Sequence, residues 1–323
     1  MKNNATYQDV ENKLSKRAEN AEKRMSDFVK EYGNFPFSYE FTTIKEVQRM
    51  LPIADTFSHK GTNGHGLLIA GSNEMRGAAI LAAKAAVRSG IGLLSCYADY
   101  DTTALNTDVP EALTVHASVF HPSHHFVSFN DLEKYNALAI GPGLSTSAEK
   151  KKSLRRLLKD YKGKIILDAD ALNMISEDDY LLSMLHNNCI LTPHVKEFER
   201  LAGKSVNDFE RLINLTKFAV DYKVYVALKG AYTTVATPEG KCYVNTSGNA
   251  GMAKGGMGDV LTGVMLALVA NGLQLSDAAR VAVFAHGLAA DLLVEETGER
   301  GLCAGMVAEG ICKAWKILEN TAL

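Results

Sequence analysis

An excess of charge of either sign is missing from this chain: 35 lysines and arginines stand against 37 aspartates and glutamates, a formal net charge of −2. Nucleic acid and acidic membrane surfaces call for a basic stripe, so neither is expected as a partner. Long apolar runs are also lacking. No stretch approaches the roughly 18 uninterrupted apolar residues of a membrane span, and the polar, mixed-charge start from Met1 to Asn34 has no apolar segment of the kind a secretory signal needs. The five cysteines (Cys96, Cys189, Cys242, Cys303, Cys312) form no C-x-x-C pair and no His/Cys metal spacing. That argues against a disulfide scaffold and a zinc site, and it suits a reduced, cytoplasmic protein. Neither G-x-G-x-x-G nor G-K-[ST] follows the first strand-like run, so a dinucleotide fingerprint and a Walker A loop are both excluded. There is no internal repeat, no low-complexity segment and no boundary between two large domains. What is left is ordinary globular composition, 46% hydrophobic and 22% charged over 323 residues, long enough to bury a sizeable core.

What the chain does have is a concentrated glycine stretch. Asn249 to Asp259 holds four glycines (Gly251, Gly255, Gly256, Gly258) and one carboxylate, and an apolar helical run follows through Val260, Leu261, Val264 and Leu268. A glycine-rich loop feeding a helix N-terminus turns backbone N–H groups toward one point, which suits an anion such as phosphate. The Gly255, Gly256 and Gly258 N–H groups are therefore the expected anion hole. Asp259 at its mouth would repel a resting phosphate. General-base chemistry, taking a proton from a hydroxyl that attacks phosphorus, gives it a reason to be there. The plainer alternative is an ordinary helix-capping aspartate behind a turn.

The remainder reads as alternating strands and helices. Strand-like runs lie at 67–70, 93–97, 113–119, 137–140, 164–167, 189–191 and 224–228, and helical patterns at 44–50, 78–88, 150–161, 195–201, 208–222, 259–271, 277–296 (capped by Ser276) and 304–318. This predicts an α/β fold, a mostly parallel central sheet flanked by helices on both faces. A hairpin, 233–237 with 241–245 split at Pro238-Glu239-Gly240, is expected to close one sheet edge. Four strands run into polar or glycine-bearing turns: Gly141-Pro142-Gly143, Asp168-Ala169-Asp170, Thr192-Pro193-His194 and Lys229-Gly230. Ligands of open α/β sheets bind at such carboxyl ends, so these turns and the 255–259 loop should line one crevice. Ahead of this body, residues 1–42 form an extension. Tyr7, Val10, Leu14, Ala18, Ala21, Met25 and Phe28 recur at helical spacing and predict one amphipathic helix, packed on its own chain or reaching another subunit. His286 reads as a core histidine, and nothing decides whether Lys60 and His65 line the cleft.

The motifs Gly71-Ser72…Gly77-Ala78-Ala79, Gly141-Pro142-Gly143, Asp168-Ala169-Asp170…Asn173, Thr192-Pro193-His194…Glu197-Phe198, Leu228-Lys229-Gly230 and Asn249…Gly258-Asp259, in this order from about residue 45 to residue 318, resemble the ADP/ATP-dependent NAD(P)H-hydrate dehydratase family of the ribokinase-like superfamily. The resemblance implies a ribokinase-like domain over 43–323. It also implies repair of the S form of hydrated NADH or NADPH at the expense of ADP, giving AMP and phosphate, or of ATP. On the family's pattern Ala78, Gly143, His194 and Asp259 bind the hydrated nicotinamide, and Lys229, Gly230, Ala231, Tyr232, Thr233 and Gly258 bind the nucleotide. Mg2+ is the expected cation, with Glu197 and Asp170 as water-mediated contacts. Ala250 stands where many members have proline and Lys196 where many have glycine; neither position touches the inferred chemistry. Residues 1–42 are too short for the epimerase domain that some members carry. The small-residue helices near the C-terminus and the 7–28 segment suggest a homo-oligomer, with a tetramer favoured. Two rivals remain open: a ribokinase-like kinase of a small hydroxylated metabolite or vitamin precursor, and a non-catalytic nucleotide-binding protein.

Overall fold

The structure is a computed structural model that describes residues 7–53, 55–116 and 132–319. Ten strands make one sheet: β1 (Ser38–Thr42), β2 (His65–Ile69), β3 (Leu93–Ala98), β4 (Leu113–His116), β5 (Ala137–Ile140), β6 (Ile165–Leu167), β7 (Cys189–Leu191), β8 (Tyr225–Leu228), β9 (Thr234–Ala236) and β10 (Lys241–Asn245), in the order β1-β10-β9-β8-β7-β6-β5-β2-β3-β4. All neighbours pair in parallel except β9, which runs antiparallel to both β8 and β10. The central strands are apolar at successive positions because both faces are covered. Alternate residues feed different cores: Leu67, Ile69, Leu138, Ile140, Ile165 and Leu167 point to one, and Leu68, Ala139, Ile166 and Ile190 to the other.

The helices divide between those faces. α5 (Ala148–Asp160), α6 (Asp170–Ser176), α7 (Asp179–Ser183), α8 (Val195–Ala202) and α9 (Asp208–Tyr222) cover the first core. The second core is built by α3 (Arg76–Val87), α4 (Thr103–Asp108), α10 (Met257–Ala270), α11 (Leu275–Gly301) and α12 (Ala304–Leu318), together with α1 (Tyr7–Tyr32) and α2 (Ile44–Met50). Every residue of α10 from Val260 to Ala270 is buried, as an all-round apolar helix must be. Gly263 lets it approach α3: a Cβ there would stand 2.0 Å from the Ala82 carbonyl oxygen. Among the described residues no helix is long and apolar enough to cross a membrane.

Several expectations change. The 233–245 hairpin does not close the sheet, because β1 pairs in parallel outside β10, Ser38 to Lys241 through Thr42 to Asn245. Its alternation Tyr39-Glu40-Phe41 was hidden beside an amphipathic helix, and it brings residues assigned to the 1–42 extension into the sheet. α11 begins at Leu275 after Gln274, so Ser276 lies inside the helix rather than capping it, and Gly298 (φ 65°) breaks its last turns. The expected strand 113–119 is seen to His116, and its end lies outside the described residues. α10, and α11 as far as Leu293, are consumed by packing within the chain, so the small residues there are taken up by it. The amphipathic helix expected to end before Pro36 runs from Tyr7 to Tyr32 and packs in cis, with Val10, Leu14, Ala21 and Met25 buried.

Candidate active site

The carboxyl ends of β5, β6, β7 and β8 lie side by side in the sheet order, and their turns form the floor of the site. The backbone is forced there. Gly141 adopts φ 129°, and a Cβ on it would stand 1.8 Å from the Asp168 carbonyl oxygen. Ala169 sits at φ 46°, ψ −115°, a strained conformation for a residue with a side chain. That turn separates two carboxylates by role. Asp168 is 1% exposed, whereas Asp170 accepts from the Ser145 backbone N–H (2.8 Å) and Asn173 Nδ2 (3.2 Å). Gly143 (φ 60°) faces α3: a Cβ on it would approach Ala78 Cβ to 2.9 Å, so Ala78 and Gly143 are neighbours.

Asp168 organises the centre. Lys229 Nζ donates to its Oδ1 at 2.7 Å and Thr262 Oγ1 donates to its Oδ2 at 2.7 Å. Glu197 Oε2 lies 3.9 Å from the same ammonium. Burial opposes the charge on Lys229, but Asp168, Glu197 and Asp259 outweigh it and raise its pKa. Lys229 is held by its neighbours on both sides: its N–H donates to the Pro193 carbonyl (2.8 Å), and it bridges in parallel to His194. His194 caps α8. Its Nδ1 accepts from the Glu197 N–H (3.2 Å), while Glu197 Oε2 accepts from the His194 N–H (2.8 Å). The reciprocal pair satisfies two backbone donors and fixes both side chains.

The glycine stretch arrives from the opposite layer. Asn249 Oδ1 accepts from the Gly251 N–H (3.0 Å), and Lys254 Nζ donates to the carbonyls of Glu299 (2.8 Å), Arg300 (2.7 Å) and Leu302. Gly256 takes the left-handed conformation (φ 89°) and starts α10 at Met257. Asp259 is thus the third helical residue, not the cap. The first helical N–H to find an acceptor within α10 is Val260, on Gly256 (3.1 Å). The N–H groups of Met257, Gly258 and Asp259 fall in the turn that has no intrahelical partner. A Cβ at Gly258 would stand 3.2 Å from Lys229 Nζ and 3.8 Å from Asp168 Oδ2, so the glycine, the lysine and the buried carboxylate converge. Gly255 opens on free space. Asp259, set among these groups, has its pKa raised to about 6 by burial and by Asp168, against the pull of Lys229, with Asp170 adding to the rise. A carboxylate tuned toward neutrality, beside N–H donors and a fixed cation, is equipped to accept a proton while negative charge builds nearby.

The structure therefore brings Asp259, Gly258, Lys229, Glu197 and His194 together with Asp168, and it sets Ala78 against Gly143. Gly230 and Thr233 close a turn through Thr233 Oγ1 (3.3 Å from the Gly230 N–H), with Ala231 and Tyr232 between them. His65 and Lys60 lie elsewhere. His65 starts β2 and bonds Ser95 Oγ (2.9 Å), at the amino ends of the strands. His286 is buried and its pKa is lowered to about 4 by burial and by Lys229, as a core histidine requires. Two residues had no assigned role in the sequence reading. Asp168 was visible only as part of a turn. Asp291, 6% exposed, accepts from the Gly248 N–H (2.8 Å) and Asn249 Nδ2 (2.9 Å) and anchors the start of the glycine stretch. A lone carboxylate in the apolar run 288–293 was the signal for it. Among the described residues no three His, Cys, Asp or Glu side chains are grouped to hold a metal. Glu197 and Asp170 can offer oxygens to the hydration shell of an ion whose other ligands come from phosphates.

Residues 66–313 match the family model described as NAD(P)H-hydrate dehydratase. The chain is 35% identical to the ADP-dependent (S)-NAD(P)H-hydrate dehydratase of Bacillus subtilis over 283 residues, covering 86% of this chain and 99% of that one. It is 34% identical to the bifunctional NAD(P)H-hydrate repair enzyme of Thermofilum pendens, of whose length it spans about half (53%). The crystal structure of the ADP/ATP-dependent NAD(P)H-hydrate dehydratase from Bacillus subtilis, co-crystallised with ATP/Mg2+, superposes with a TM-score of 0.74 at 32% identity, over 88% of this chain and 100% of that one.

Proposed function

The chain belongs to the NAD(P)H-hydrate dehydratase family, in a ribokinase-like fold, and on that premise we propose that it is an ADP-dependent (S)-NAD(P)H-hydrate dehydratase. The observation that carries the reading is the meeting of Asp259, its pKa raised to about 6, with the Gly258 backbone beside Lys229. The hydrate bears a hydroxyl on a saturated ring carbon, and hydroxide is a poor leaving group. Asp259 accepts the hydroxyl proton as that oxygen attacks the β-phosphorus of ADP. The P–O bond to AMP breaks, and AMP leaves with the electron pair. The N–H groups at Gly255, Gly256 and Gly258, with Lys229, hold the charge on the transferring phosphoryl group. The ring nitrogen then expels phosphate, and the adjacent ring carbon loses a proton, which restores the dihydronicotinamide.

In this assignment Ala78, Gly143 and His194 line the hydrated ring, and Lys229 to Thr233 hold the nucleotide. Mg2+, held through water by Glu197 and Asp170, would neutralise phosphate oxygens. In this proposal residues 1–42, whose last five pair with β10, are an extension on a catalytic body, 43–323, working in the cytoplasm. The test is incubation with hydrated NADH and ADP, following the recovery of reduced-nicotinamide absorbance together with phosphate. Consumption of the nucleotide with a stable phosphorylated product, and with neither that absorbance nor free phosphate, would make the protein a kinase instead. ATP, freed of ADP, is expected to bind but turn over more slowly, by up to about 100-fold, because its γ-phosphoryl would overreach the site and misplacement by about 1 Å costs that much. A higher kcat/KM with ATP would overturn the donor assignment and leave the dehydratase reading intact.

The same proposal includes a homo-oligomer, a tetramer favoured. Its support is the loop that leaves Ile53 and Phe57 97% and 88% exposed, apolar side chains suited to another copy. Light scattering at micromolar concentration is expected to give a mass above that of the 35.0 kDa monomer; a monomer would end this part of the proposal.

A further inference from the structure

A cavity runs from the site's central lysine to α1. Lys229, Gly230 and Tyr232 line one side, and Arg24, Met25 and Phe28 the other. The three α1 residues are spaced i, i+1 and i+4, on the face that the helix turns toward its own chain. α1 ends well before residue 66, where the match to the family model begins, so this wall is not supplied by the matched domain. It is firmly seated. Arg24 pairs with Asp208 at the start of α9, and Arg211 pairs with the same carboxylate. Phe28 meets the edge of Phe209 at 6.2 Å, and Tyr32 stacks on Phe209 at 5.1 Å. Further along, Arg17 reaches Asp291 at 3.4 Å, the carboxylate that anchors Gly248 and Asn249.

The Lys229 end of the cavity is cationic and adjoins the glycine loop. At the other end Met25 is buried and Phe28 half-buried, and the arginines there, Arg24 and Arg211, are both paired with Asp208. A nucleoside diphosphate has the same order, from charged phosphates to a flat apolar base. We propose that α1 forms the base-binding wall of the nucleotide site, with Phe28 and Met25 packing against the purine of ADP and Arg24 closing its edge. This deepens the dehydratase reading and rests on it for the choice of ligand. An aromatic ring and a flexible thioether are good partners for a purine face. The ion pair to Asp208 orients Arg24 without filling the cavity.

The test uses the full chain. F28W places an indole in the wall of the cavity, and its emission, measured against the buried Trp315 of the parent, should change on ADP addition and saturate at the Kd found by calorimetry. F28A should weaken ADP binding by about tenfold or more. Its KM for ADP should rise in step, while kcat and KM for the hydrate stay within about twofold. General loosening of the fold would move all three. K13A, which removes the outer pair with Glu295 and the smallest of the charge interactions on Asp291, should leave ADP affinity unchanged. If F28W emission ignores saturating ADP, or F28A binds ADP as well as the parent or more tightly, α1 is not the wall and the inference falls. Those results would leave hydrate repair standing. Parent protein that binds ADP but never restores the absorbance would sink the dehydratase reading alone, and parent protein that binds no ADP would sink both.

Discussion

Substituting asparagine for Asp259 (D259N) is expected to lower kcat by at least about 100-fold, the lower range for loss of a positioned general base, while ADP binds as well as before or more tightly. The carboxylate stands beside the Gly258 backbone and Lys229, where phosphates are expected, so its charge works against them until it takes the proton. Residual turnover above about one percent would remove Asp259 from the base role. The pH dependence follows the same group. A base must be ionised, so kcat/KM of the parent should fall as pH drops through about 6. Stability runs the other way. The fold favours the protonated acid, whose pKa rises from 3.8 to about 6. Its stabilising contribution is complete below pH ~4 and is lost as pH rises through about 6. D259N stays neutral, so at pH 8 it should be more stable than the parent by roughly 1–2 kcal/mol, a value reduced for the partial exposure of the group. A denaturant titration at pH 4 and pH 8 checks this, since the difference should shrink at the lower pH.

K229M is expected to damage both fold and chemistry. Asp168, 1% exposed, would keep its Thr262 hydrogen bond and lose its cation. Breaking a buried pair from one side costs about 3–5 kcal/mol. The lower end is expected here because the Lys229 side chain is 20% exposed. A domain of this size should then melt about 6–12 °C lower. Turnover should fall by about 100-fold or more, because the ammonium is the fixed cation nearest Gly258. The double variant D168N/K229M separates the two effects. Neutralising Asp168 should recover most of the melting temperature and none of the turnover. A K229M protein that melts like the parent would show that the pair does not hold the floor of the site. One that turns over normally would remove Lys229 from the nucleotide.

Local features were legible in the order of residues. The Gly255–Asp259 loop, the helix behind it and the polar ends of β5 to β8 depend on glycine freedom and apolar periodicity, which act over a few residues. So does the amphipathic face of α1. That glycine loop marked Asp259 as a candidate base, and the family was legible through the resemblance of the ordered motifs rather than through periodicity. Other properties needed the tertiary structure because they arise between distant segments. Asp168 meets Lys229 and Thr262 across 61 and 94 residues, and no periodicity records such a meeting. The raised pKa of Asp259 depends on burial and on Asp168, both products of two layers closing on each other. β1 joins the sheet edge because β10 offered it an unpaired side, a choice its own short sequence does not make. The place of α1 was open for the same reason: its apolar face demands cover, and only the packed body, through Asp208, Phe209 and Asp291, decides where that cover lies.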